Sequence, residues 1–217
     1  MLPVMGELAV NRKTPIAGLI LAAIVLLADP ALAHHVMGGR MPVTFADGLL
    51  SGLGHPVIEL DHFAAVVAVG CLAAAHRAAP ALAIGFVLAM IVGVAAHMRG
   101  TTVLGAEIMV ALSVIVLGAM LLRRRQMPAG AALGLFVVVG LIHGYVLGES
   151  IAGAETSPLT AYFIGLAAIQ SAVALAAMVA ARAVTHRQAD GLALRLVGAG
   201  IAGIGLAVLA QQVIPAA

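Results

Sequence analysis

The chain has 217 residues, 63% of them hydrophobic and only 9% charged, against about 25% charged in a soluble domain, which excludes a water-soluble globular fold and indicates an integral membrane protein. A net charge of +2, with the arginines in short connections, excludes a nucleic-acid-binding surface. The single cysteine, Cys71, lies in an apolar run and has no partner within the chain for a disulfide, so packing is its expected role.

In chain order, residues 1–33 read as a signal peptide. Arg12 and Lys13 form its basic region, Ile16 to Leu27 its apolar region, and Ala31-Leu32-Ala33 the cleavage pattern. Cleavage there would start the mature chain at His34, with residues 34–56 as a periplasmic N-terminal segment. Within it, Thr44–Gly54 is expected to form a short amphipathic helix lying on the outer surface. Six later segments are long and apolar enough to cross a bilayer, which takes about 20 residues. They are Val57–Ala75, Ala78–His97, Leu104–Leu122, Ala129–Gly148, Leu159–Ala181 and Leu192–Val213. The expected fold is an all-α membrane protein, a bundle of about six transmembrane helices after an N-terminal signal peptide, with residues 57–217 as one six-helix transmembrane domain. Gly140, Gly144 and Gly148 in the fourth span form a small-residue stripe suited to close helix packing.

The arginines orient the bundle. Cytoplasmic connections are enriched in Arg and Lys. With His34 outside, the first span ends inside at Arg77, the third at Arg123-Arg124-Arg125, and the fifth near Arg182 and Arg187. The mature N-terminus is then expected in the periplasm, and the expected location is the bacterial inner membrane.

This orientation gathers metal-ligating residues at one side. His34, His35, His55, Asp61, His62, His97, Glu107, His143 and Glu149 all fall at or near the outer ends of spans. Of eight histidines, only His76 and His186 fall on the inner side. Neutral imidazole and carboxylate are common ligands of divalent transition metals, and ionisable groups within a bilayer mark functional sites. On a continuous helix opening at Pro56, suited to a first helical position, His55 and His62 would share a face with Glu59 between them. Asp61 would point elsewhere, or orient an imidazole N–H as an acceptor.

These residues resemble the HupE/UreJ family of nickel and cobalt permeases, whose pattern is close to H-P-x-x-G-x-D-H followed by an A-V-G stretch. Here that reads His55-Pro56, Asp61-His62 and Ala68-Val69-Gly70. A second block, Gly93 to Leu122, looks like the family's second and third helices and includes His97 and Glu107. A third runs from His143-Gly144-Tyr145 through Gly148-Glu149-Ser150 to Ala154-Glu155 and resembles H-G-Y-A-x-G-E. Glu59 stands where the pattern has Gly, and Leu147 stands where many relatives carry a second His.

The resemblance implies uptake of Ni²⁺ or Co²⁺. In this reading His34 and His35 collect the metal, His55, Asp61 and His62 form the entry site with His97 and Glu107, and His143 receives the ion deeper in the membrane. No cofactor is expected to be permanently bound; Co²⁺ or Ni²⁺ is cargo. The expected partners are membrane lipid and the metal ion, with a homo-oligomer left open. A membrane metal-binding accessory or sensor protein that does not transport is the alternative. No H-E-x-x-H and no G-x-x-x-x-G-K-[ST] occurs, so neither a zinc hydrolase nor a nucleotide-driven pump is expected.

Overall fold

The computed structural model describes residues 40–123, 127–187 and 191–214. The expected signal peptide, and His34 and His35 with it, lie outside the described residues. The described residues form seven α-helices and no strand: α1 Phe45–Ile58, α2 Leu60–Ala73, α3 Ala79–Met98, α4 Ala106–Leu122, α5 Ala129–Leu147, α6 Thr156–Arg187 and α7 Leu192–Val213, with a 3₁₀ turn Glu149–Ile151 after α5. Four helices (α3, α5 with its 3₁₀ turn, α6 and α7) are long and apolar enough to cross a membrane, and α1–α2 taken as one bent span makes a fifth. α4 is apolar and shorter, at 17 residues. The chain is a multi-pass membrane protein.

Local chemistry explains the helix starts. Thr44 Oγ1 accepts from the Asp47 N–H at 3.1 Å, and Asp47 Oδ2 accepts from the Thr44 N–H at 3.1 Å. This reciprocal capping box satisfies donors that the first turn of α1 leaves unpaired. Gly105 and Gly191, at φ 70° and 66°, turn the chain into α4 and α7. Backbone there is left-handed, where a Cβ is disfavoured.

Three pairings of small residues set the bundle. Gly48 and Gly52 of α1 lie against the backbone of Pro158 and Tyr162, and further along α6 Ala174 meets Gly70 of α2. The 32 residues of α6 therefore form a spine, about 48 Å long at 1.5 Å per residue, alongside α1 and α2. Gly140, Gly144 and Gly148 of α5 meet, in that order, Phe86, Met90 and His97 of α3, so α3 and α5 run in the same direction. Gly118 meets Gly198 and Ala202 while Gly205 meets Ala111 and Ile115, so α4 and α7 run in opposite directions. These relative directions are those of helices that alternate in crossing.

The structure corrects four expectations. The first span is not one straight helix Val57–Ala75: it breaks at Glu59, where α1 and α2 meet at 78°. Glu59 is extended, at φ −79° and ψ 108°. Its N–H closes α1 on His55 O at 3.1 Å, and its carbonyl accepts from Phe63 N in the first turn of α2. Pro56 is accordingly not at a helix start. It is the twelfth residue of α1, where the missing N–H weakens the ladder just before the break. The amphipathic helix expected at Thr44–Gly54 extends to Ile58 and packs on α6 through its glycines rather than lying free on the surface. The fifth span, expected as Leu159–Ala181, overruns at both ends to Thr156 and Arg187.

A Cβ on Gly144 would collide with Met90 backbone atoms, whereas one on Gly134 meets nothing within 4 Å. Gly144→Leu is therefore expected to lower the melting temperature of the detergent-purified protein sharply, with the cost of overpacking at about 1–3 kcal/mol or more. Gly134→Ala should leave it unchanged or raise it.

Candidate metal centre

The break at Glu59 builds the site. The last turn of α1 carries His55, the first turn of α2 carries Asp61 and His62, and Glu59 at the junction faces both histidines. Glu59 Oε1 lies 3.0 Å from His55 Nε2, and Glu59 Oε2 lies 3.1 Å from His62 Nδ1. Asp61 Oδ1 lies 3.0 Å from the same His62 nitrogen and accepts the His62 backbone N–H at 2.7 Å. Glu59, Asp61 and His62 each offer a ligand atom, and these atoms lie within 4.8 Å of one another.

Hydrogen-bond accounting singles out one position in this cluster. His62 Nε2 lies 3.2 Å from the carbonyl oxygen of His143. A carbonyl only accepts, so Nε2 carries a proton. Nδ1 then faces two carboxylate oxygens, and a bare lone pair against two acceptors is repulsive. A positive species belongs there, either a proton or a metal ion. Metal bonds of about 2.0–2.2 Å make ligand–ligand edges of roughly 2.9–3.5 Å, and the separations of 3.0 and 3.1 Å fall within that range.

Burial differs around the cluster. The His62 side chain is 1% exposed, whereas Glu59 and Asp61 keep 11% and 13%. The carboxylates therefore form the open side and the imidazole the closed side. Behind it, the His143 ring stands at 74° to that of His62 with centroids 4.8 Å apart, and His143 is wholly buried. Its Nε2 lies 2.8 Å from Ser113 Oγ on α4. Four helices thus converge here: α1, α2, α4 and α5.

Of the expected ligands, the structure sets His55 and His62 on Glu59, Asp61 on His62, and His143 behind the His62 ring. His97 does not join them: it closes α3 against Tyr145 of α5, with ring centroids 4.8 Å apart. Tyr145 is held by its hydroxyl, which donates to Thr101 O at 2.8 Å and accepts from Val103 N at 3.0 Å. This clamp fixes His97 one turn beyond His143, facing Gly148. Glu107 lies half-buried in the first turn of α4, six residues or about 9 Å of helix from Ser113. Glu149 is exposed in the 3₁₀ turn. The helix ends, rather than the ligand types, separate these three from the cluster.

Three side chains at the site were not among the expected ligands. Glu59, which lies between two histidines in the sequence and stands where the family pattern has Gly, bridges them. Ser113 is the single hydroxyl in the apolar run Ile108–Leu122, and that isolation was its available signal. Tyr162 of α6 donates to Leu147 O at 3.0 Å, and Ser150 Oγ donates to the same carbonyl at 2.9 Å. Leu147 itself is fully buried and fills with hydrocarbon the place where a second histidine would stand.

Comparison with known proteins fits this arrangement. The family model described as HupE / UreJ protein matches residues 21–208. Over 131 residues the chain is 33% identical to Protein HupE of Rhizobium leguminosarum bv. viciae, a stretch covering 59% of this chain and 66% of that relative, just under two thirds of its length. No solved structure matches the chain.

Glu59→Gln keeps the size of the bridge and removes its charge. The dissociation constant for Ni²⁺ or Co²⁺, measured by titration calorimetry on the detergent-purified protein, should rise at least about tenfold with no loss of folded yield.

Proposed function

The chain belongs to the HupE/UreJ family, and on that premise we propose that it is an inner-membrane permease for uptake of a divalent transition metal, Ni²⁺ or Co²⁺. The observation that carries the reading is the position at His62 Nδ1, faced by Glu59 Oε2 and Asp61 Oδ1 at 3.1 and 3.0 Å. One imidazole nitrogen and two carboxylate oxygens converging on one point suit a divalent transition metal, for which imidazole is a good ligand.

The membrane arrangement we propose has six spans. The bent pair α1–α2 is the first. α4, about 26 Å long at 1.5 Å per residue, lies at the short end of the spanning range and counts as the third. The parallel course of α3 and α5, and the opposed course of α4 and α7, support alternate crossings. Arg77, Arg123, Arg182 and Arg187 all follow or close helices at the end of the bundle away from His55 and His143. That end is cytoplasmic by charge bias, so the cluster opens to the periplasm.

The ion enters on the carboxylate side, where Glu59 and Asp61 strip its water and supply negative charge. His62 takes it into the buried layer, and His143 receives it next. A divalent ion gains about 4.6 kcal/mol from a 100 mV negative-inside potential, twice the value for a single charge. Downhill passage therefore needs no nucleotide.

Two outcomes test the reading. In cells with a fixed membrane potential, expression should give accumulation of radioactive Co²⁺ or Ni²⁺ far above one ion per copy, and His62→Ala should abolish it while the protein still reaches the membrane. Retention of one ion per copy without further accumulation would instead mark an accessory protein that holds metal. Protons compete with metal for imidazole, so the uptake rate should fall as external pH drops from about 7.5 to 5.5, across the ordinary imidazole range.

A further inference from the structure

We infer that Ser113 fixes His143 as the Nε2–H tautomer and so makes its bare Nδ1 the nitrogen that receives the divalent ion after His62. The argument starts from one hydroxyl proton. Ser113 Oγ lies 2.7 Å from Val110 O, one turn back on α4, and 2.8 Å from His143 Nε2. Val110 O can only accept, so the hydroxyl proton goes to it. The serine oxygen then offers a lone pair to Nε2, which must carry its own proton. His143 Nδ1 is left without any hydrogen-bond partner in a residue that is 0% exposed.

The opposite assignment is worse. If Ser113 donated to Nε2, the imidazole proton would sit on Nδ1, a buried N–H with no acceptor. Orphaned buried donors are rarer in proteins than under-satisfied acceptors. The geometry therefore selects an unprotonated Nδ1, the form in which imidazole binds a transition metal. His143 acts twice at this point: its carbonyl holds His62 Nε2 at 3.2 Å, and its ring stands against the His62 ring. The second imidazole is thus oriented and deprotonated at the nitrogen it has free. Ser113 touches no ion in this scheme; it is a positioning residue, of the kind whose loss costs about 10–100-fold in metal affinity. The identity of the ion rests on the permease reading; the tautomer does not.

The test uses the full chain, purified in detergent with ¹⁵N-labelled histidine, and assigns His143 by the resonances missing from His143→Gln. In the metal-free wild type, Nδ1 should give the shift of an unprotonated ring nitrogen and Nε2 that of a protonated one. Ser113→Ala should show mixed tautomers and bind Ni²⁺ about 10–100-fold more weakly. Ser113→Thr, which keeps the hydroxyl, should restore both. A protonated Nδ1 in the wild type, a measurement that needs no variant, overturns the proposal. So does Ser113→Ala with wild-type Ni²⁺ affinity. A wild type that binds Ni²⁺ with the expected tautomer but accumulates none in cells overturns the permease reading alone.

Discussion

Two carboxylates held against one histidine, inside a bundle that offers little water, need a positive partner, and the rest of the site follows from meeting that need. Glu59 and Asp61 both approach His62 Nδ1, while the other His62 nitrogen is occupied by a backbone carbonyl. The imidazole cannot turn away from the carboxylates without losing that bond. The chain break at Glu59 is what permits this crowding. It lets one carboxylate reach His55 at the end of α1 and His62 at the start of α2 together. A cation in the cluster satisfies charges that would otherwise be costly to bury.

The close packing around the site serves the same end. In lipid, helices gain little by burying apolar surface and associate through close approach instead. Gly140, Gly144 and Gly148 draw α5 onto α3, and Gly52 and Gly165 draw α1 onto α6. The backbones that carry His143 and His55 are thus held by atoms with no side chain to shift. Tyr162, fully buried on α6, ties down the carbonyl of Leu147 at the end of α5. Ligand positions are therefore set by backbone contacts on both sides of the cluster.

Much of this was legible in the residues alone. The spans Ala78–His97, Leu104–Leu122, Ala129–Gly148 and Leu192–Val213 lie within two residues of α3, α4, α5 and α7 at each end, because Pro, Gly or charge bounds each apolar run. α6 was underestimated because hydropathy ends at the membrane margin while backbone hydrogen bonding does not. Thr185, whose hydroxyl bonds the carbonyl of Ala181 four residues back, belongs to that polar margin. The bend at Glu59 was hidden for a different reason: His55, Glu59 and His62 share a face on a straight helix as well, so their spacing does not distinguish the two shapes. His97 and Glu107 were grouped with the cluster because they share its end of the bundle. Sharing an end of the bundle does not fix position along the helix: His97 sits in the last turn of α3, and Glu107 in the first turn of α4, about 9 Å of helix from Ser113.

The far end of α2 borders a cavity. This cavity of about 330 Å³ is lined by Cys71, His76, Phe136, Arg182 and His186, among others, and Arg182 is held at its edge by donating to the carbonyls of Ala74 and His76 at 3.2 and 3.0 Å. Nine residues of helix, about 13.5 Å, separate Cys71 from His62. Between the two, α2 is packed without a gap in its buried face, with Ala65, Ala68 and Val69 wholly buried, so the cluster and the cavity are separate features at opposite ends of one helix.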